Sequence, residues 1–322
     1  MCVLNDFLMI HIEHFTFNSF QTRCSVVWDD SGVCAFVDPG CASAAELSRL
    51  TAFTASRGLR PAAIMLTHAH FDHIYGVDAL VREYGIPVYM HPDEVYTLRN
   101  TNPYVCRMYG LPEPETAFAD GLLSGSAVGA ASEMGCGPTS EPGYGSGDET
   151  ASGPACGSVN EKACGPDSGL VTVVEDDVIK VGTLRFEVIE TPGHTAGGIC
   201  LFEREDGVLF TGDTLFAGAI GRTDHPGGDY DQLMKSILQK LLPLDSPAAS
   251  GSVASGSAAS GPAASGSPAA PATPTGATSA GTTSAPAPRN ITVVPGHGPC
   301  SDLATEGMTN PFLMPFNEPY ED

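Results

Sequence analysis

The 322 residues carry 38 acidic against 15 basic side chains, a formal charge of −23. No Lys/Arg stripe is available to neutralise phosphates, which argues against a nucleic-acid partner. Acidity of this kind is expected of a soluble cytoplasmic protein.

Residues 1–10 are apolar but carry Asp6, lack a basic leader and are far too short to span a membrane, so neither a signal peptide nor a membrane partner is expected. Met9 reads as the start of a domain, with residues 1–8 a ragged extension. Strands are predicted over 25–28 and 33–37, joined by the turn Asp29-Asp30-Ser31-Gly32. Ser43 and Glu46 form a capping box before a helix whose apolar face is Leu47, Leu50 and Phe53 and which ends near Gly58.

The apolar run Ala63-Ile64-Met65-Leu66 reads as a buried strand, and Thr67-His68-Ala69-His70-Phe71-Asp72-His73 follows at its C-terminal end. Three imidazoles and a carboxylate on one tight loop are zinc-binding side-chain types, enough to serve two ions. A histidine-rich surface loop is the bland alternative. Val77, Leu80, Val81 and Tyr84 then mark a helix that stops at Gly85, 87–90 a strand, and 93–100 a short helix opened by acidic residues.

Residues 120–169 are rich in Gly, Ser, Pro and acidic residues, with Lys162 the only basic side chain. Residues 246–288 are almost purely Ala, Ser, Gly, Pro and Thr, without charge. Neither stretch holds enough apolar surface to offset the entropy of ordering, so both read as disordered insertions in one large domain over 9–313. Between and after them, strands are predicted over 171–174, 178–181, 184–189, 199–202, 208–210 and 291–294. Asp229 caps a helix with Leu233, Ile237 and Leu241 on one face.

The ten cysteines have no repeating spacing, and with no leader in view reduced thiols are expected. The Cys-Gly-Pro repeats at 136–138 and 164–166 read as compositional drift.

One pattern recurs along the chain. An apolar strand ends, and a His or Asp follows within a few residues beside Gly or Thr: His68, then His194, Asp213 and His297. Each of the later three alone reads as an ordinary loop residue. The repetition makes a shared site at one rim of a sheet the expectation.

His68-x-His70-x-Asp72-His73 with His194, Asp213 and His297 resembles the ligand signature of the metallo-β-lactamase superfamily. Gly221-Arg222-Thr223-Asp224, Pro226-Gly227-Gly228-Asp229-Tyr230, Pro295-Gly296-His297-Gly298-Pro299 and Thr309-Asn310-Pro311-Phe312-Leu313 resemble its glyoxalase II-like (hydroxyacylglutathione hydrolase-like) branch. The resemblance implies an α/β protein, an αββα sandwich holding two zinc ions, with iron or manganese as alternatives. It implies that His68, His70 and His194 hold one ion, that Asp72, His73 and His297 hold the other, and that Asp213 bridges them. Asp38 matches an aspartate that supports the ligands without being one. The implied reaction is hydrolysis of a small-molecule acyl thioester of the S-lactoylglutathione kind by a metal-bridging hydroxide, with Asp72 as the catalytic carboxylate that orients it.

Full glyoxalase II enzymes carry a C-terminal helical region that helps bind glutathione. Here the sequence ends soon after His297, so the metal chemistry is expected to carry over without that specificity. His225, where relatives have an apolar residue, is expected to be an exposed loop histidine rather than a substrate contact. Two rival readings are a mononuclear-iron persulfide dioxygenase of the same fold, which shares the Gly-Arg-Thr-Asp segment, and an inert binding or scaffold protein. The latter would be expected to have lost ligands, and all seven are present.

Overall fold

The computed structural model describes residues 10–124, 161–163, 169–245 and 290–314. Strands β1 (His11–Phe17), β2 (Thr22–Trp28) and β3 (Val33–Val37) form an antiparallel meander. Helix α1 (Ala44–Arg57) crosses to β4 (Arg60–Met65), which pairs parallel to β3. Helices α2 (Phe71–Ile74) and α3 (Val77–Tyr84) lead to β5 (Val88–Met90), parallel to β4. Next come α4 (Glu94–Tyr96), a π-helical turn over Thr97–Thr101, α5 (Asn102–Tyr109), a 3₁₀ turn over Ala117–Ala119 and α6 (Asp120–Ser124). Strand β6 (Glu161–Ala163) belongs to the second sheet, while β7 (Leu170–Thr172) completes the first in the order β1-β2-β3-β4-β5-β7.

The second sheet is built from β8 (Val178–Val181), β9 (Leu184–Glu190), β10 (Ile199–Glu203) and β11 (Val208–Gly212). A small hairpin, β12 (Leu215–Phe216) with β13 (Ala219–Ile220), follows, and then α7 (Tyr230–Lys235), which continues as a π-helical stretch over Ser236–Leu241. Strands β14 (Thr292–Pro295) and β15 (Ser301–Asp302) and helix α8 (Leu303–Thr309) close the chain, giving the sheet order β15-β14-β11-β10-β9-β8-β6.

Period-two alternation sorts the strand side chains into layers. Cys24, Val26, Cys34, Phe36 and Ile64 face the core beneath α1 and α3, while Val27, Ala35, Val37, Ala63 and Met65 face the other sheet, meeting Ile179, Phe186, Val188 and Phe210. A third core packs Cys200, Phe202 and Leu209 against Leu233 of α7, Ile237 and Leu241 of the π-helical stretch after it, and Leu303 of α8. Strands buried on both faces need continuous apolar runs, which is why they were legible. The result is the expected αββα sandwich.

Several details depart from expectation. Ser43 caps α1 by accepting from the Glu46 N–H, but the Glu46 carboxylate accepts from Ala42 N and Asn18 N instead of returning a bond to Ser43. Strand β1 precedes the first predicted strand. The helix expected over 93–100 runs on to Tyr109 through a π-helical turn just before Pro103, whose missing N–H is tolerated in the first turn of α5. Two short elements, α6 and β6, lie inside 120–169, and Leu122 and Leu123 pack against the core, so composition alone placed the edge of that insertion too early. The rest of that stretch with its Cys-Gly-Pro repeats, the stretch 246–288 and residues 1–8 lie outside the described residues. Among the described residues no helix is long and apolar enough to cross a membrane.

Candidate metal centre

Strands β9, β11 and β14 run in one direction, since β10 pairs antiparallel to both β9 and β11 and β14 pairs parallel to β11. Their C-terminal ends therefore share one edge, where Thr191–His194, Asp213 and His297 emerge. The C-terminal end of β4 meets that edge, and the Ile199 N–H donates to Thr67 O at 2.8 Å to join the two sheets. A second tie runs from the Arg23 N–H to Gly296 O at 2.6 Å. All seven predicted ligands converge there.

They form two groups. One donor atom from each of His68, His70 and His194 lies within 4.8 Å of the others, and so do one from each of Asp72, His73 and His297. Asp213 faces both: its Oδ2 is 3.6 Å from His194 Nε2 and 3.4 Å from His297 Nε2, and its Oδ1 is 3.5 Å from His73 Nε2. His194 Nδ1 donates to Arg222 O at 2.7 Å and His297 Nδ1 to Phe20 O at 3.0 Å, which turns the Nε2 lone pair of each ring into the site.

The site fits a metal on the evidence of its unpaired atoms. His68 Nε2, His70 Nε2, His73 Nδ1 and Asp213 Oδ1 are buried with no hydrogen-bond partner among the described residues. Orphaned buried polar atoms are costly, and His68 Nε2 and Asp213 Oδ1, both within the His/Asp cluster, point to a cation that completes them. This is a His/Asp cluster of the kind that holds divalent ions.

The supporting residues explain the local sequence. Asp38, in the left-handed region at φ 49°, accepts from Thr67 N at 2.8 Å and from the Thr67 hydroxyl at 2.6 Å. Its Oδ2 is also 3.2 Å from His73 Nδ1, close but without hydrogen-bond alignment. Both Asp38 oxygens thus anchor the start of this loop, and Asp38 also forms, with His68 and His73, a third set of donor atoms within 4.8 Å of one another. The Thr22 hydroxyl donates to Asp72 Oδ2 at 2.7 Å, and Asn18 Nδ2 donates to Asp72 O and Gly40 O, both at 2.9 Å. Gly296 is required by space: a Cβ there would lie 2.4 Å from Asp213 Oδ1 and 2.7 Å from the His73 ring.

Charge in the metal-free cluster is shared between protons and carboxylates. Burial and the neighbouring imidazoles hold His68 and His70 well below the usual histidine range. For His73 and His297 burial acts in the same direction, but the facing Asp72 and Asp213 override it and raise them to about 9 and about 11. Conversely, burial would raise Asp72, yet His73 and His297 bring it down to about 2.

His225 departs from expectation. It is half-buried rather than exposed, with its ring 6.2 Å from that of His70 in an edge-on arrangement. Four further residues were not singled out by the sequence: Thr22, Arg23, Glu94 and Asn102. Each is an ordinary polar residue in its own segment, and only Glu94 had a local signal, as an acidic residue opening a helix. The Asn-Pro-Phe-Leu segment also acquires a reason. Asn310 Nδ2, fully buried, donates to Ala219 O at 3.1 Å and to Glu306 Oε2 at 2.8 Å, locking the β12–β13 hairpin whose Phe216 stands 6.3 Å from His297.

Comparison with known proteins agrees with this geometry. The family profile described as Metallo-beta-lactamase superfamily matches residues 18–247. Hydroxyacylglutathione hydrolase GloC of Haemophilus influenzae is 29% identical over 236 residues, which cover 73% of this chain and 86% of that one. Among solved structures, BLEG-1, described as a B3 metallo-beta-lactamase, superposes with a TM-score of 0.59 at 27% identity, covering 94% of this chain and 99% of that one. TTHA1623, solved in a di-iron-bound form, gives a TM-score of 0.56 at 25% identity, covering 94% and 100%.

Proposed function

Because the chain belongs to the metallo-beta-lactamase superfamily, we propose that it is a metal-dependent hydrolase that cleaves a small acyl thioester of the S-lactoylglutathione kind at a centre of two zinc ions. The observation that carries this is the placement of Asp213, with one oxygen facing His73 and the other facing His194 and His297. A carboxylate so placed would serve two ions at once. In this reading His68, His70 and His194 would hold the first, Asp72, His73 and His297 the second, and Asp213 both.

Two bound divalent ions supply Lewis acidity and lower the pKa of water toward neutrality. The chain's own residues do the rest. Asp72, pinned by the Thr22 hydroxyl, orients the attacking water and accepts its proton. Arg222 O and Phe20 O hold His194 and His297 in the ligating tautomer, so no reorganisation of those rings is needed during turnover. The departing thiolate needs little protonation, which suits a thioester. His225, beside His70 at the rim, contacts the substrate.

The substrate class draws support from the Haemophilus hydrolase, and a two-ion centre from the di-iron relative, which also makes iron the rival metal. A small-molecule partner, with neither nucleic acid nor membrane, accords with the charge of −23. The test is a thioester panel, S-D-lactoylglutathione included, assayed on zinc-loaded and iron-loaded protein. Release of free thiol by the zinc form is expected. Absence of thiol release, with oxygen uptake by the iron form on glutathione persulfide, would overturn the hydrolase reading in favour of a dioxygenase.

A further inference from the structure

Glu94 is fully buried on α4, yet it is no ligand. Its Oε2 accepts from the Ala69 N–H at 2.8 Å, between His68 and His70. Its Oε1 accepts from the Gly197 N–H at 3.2 Å and from the Thr195 hydroxyl at 2.5 Å, directly after His194. One carboxylate thus spans the two loops, from different sheets, that carry His68, His70 and His194. Asn102 grips the same loop from the other end: its Nδ2 donates to Ala69 O at 2.8 Å, and its Oδ1 accepts from the Phe71 N–H at 3.0 Å.

The backbone between these two residues is π-helical over Thr97–Thr101, with the Asn102 N–H donating to Thr97 O. Eight residues along a regular α-helix would set Glu94 and Asn102 about 80° apart around the axis. The wider π turn subtends fewer degrees per residue and removes most of that offset, so both side chains reach one loop. π turns of this kind collect at functional sites.

We infer that Glu94, aligned with Asn102 by the π turn, is the positioning residue that preorganises His68, His70 and His194 as a metal site. This rests on the metal-centre reading above but on no particular substrate. Among the described residues Glu94 makes no hydrogen bond to Asp72, His73 or His297, so the effect of losing it falls on the first group.

The test is zinc affinity, measured by competition with a chromophoric chelator, with the cobalt(II) d–d spectrum as a second readout. Glu94→Ala should weaken one of the two bound equivalents by about 10–100-fold, leave the other within about 3-fold, and alter the cobalt spectrum, with the far-UV circular dichroism unchanged. Glu94→Gln, which keeps an acceptor for only one loop, should fall between. Thr195→Val, which removes one donor and no charge, should shift the same equivalent by a smaller factor. If the wild-type chain holds a single ion, the two-ion reading fails, and the inference stands or falls on whether Glu94→Ala loosens that ion. Unchanged zinc constants in Glu94→Ala overturn it. So do unchanged constants and spectrum in Thr195→Val should Glu94→Ala not fold.

Discussion

His70 Nδ1 and His194 Nε2 stand 2.9 Å apart, although 124 residues separate them in the chain. The Nδ1 proton of His194 is committed to Arg222 O, so its Nε2 meets His70 as a lone pair. A single proton can bridge such a contact, and a bound cation would take up both lone pairs in its place. His73 Nε2 and His297 Nε2 likewise stand 3.3 Å apart, and there the carboxylates of Asp72 and Asp213 face both rings.

Elemental analysis of the purified, metal-loaded chain should approach two ions per chain. Asp213→Ala removes the carboxylate that faces both histidine groups, so both equivalents should weaken by at least about tenfold together. Full metal content and activity in that variant would refute the bridging role.

Zinc binding should release protons, and the sign follows from the raised groups. His73 and His297 titrate at about 9 and about 11 in the metal-free site, so at pH 7 both are protonated and compete with the ion. Affinity should therefore rise as pH climbs from 7 toward 9. Calorimetry in two buffers of different ionisation enthalpy counts the protons, and a count of zero contradicts the charge arrangement. Linkage gives a companion effect. A raised folded-state pKa stabilises the metal-free chain fully below the unfolded value near 6.5, and for His73 this is lost as pH rises through about 9. Urea midpoints of the metal-free chain should fall over that window.

Asn310→Ala should destabilise the chain by about 2–3 kcal/mol, because it leaves the Ala219 carbonyl and the Glu306 carboxylate short of a donor in a buried place. Urea unfolding measures it. A change below about 0.5 kcal/mol would mean that water replaces the amide and that the motif does not lock the hairpin.

Shortening 126–159 and 247–287 to Gly/Ser bridges should leave zinc content and thioester hydrolysis intact, with stability shifted by only about 1–2 kcal/mol, since closure entropy varies slowly with loop length. The deletions must spare Leu122, Leu123 and β6, which belong to the folded part. Insoluble or metal-free protein from either deletion would show that the removed segment packs on the domain.

The double-sided strands, α1 and α3 with their Gly58 and Gly85 ends, and the His and Asp residues from His68 to His297 that gather at one edge were legible in the sequence, because each signal is local. An apolar run, a glycine after a periodic face and a His or Asp at a strand end are all decided by neighbours in the chain. What only the tertiary structure decided are the residues whose meaning depends on distant partners. Thr22 acquires a role from Asp72, 50 positions away, and Glu94 from Thr195, 101 positions away. The π-helical turn just before Pro103 belongs with them, since contacts to the metal loop sustain it. Hydrogen bonds across such separations leave no periodicity to read, since the geometry that pairs them exists only once the two sheets have packed.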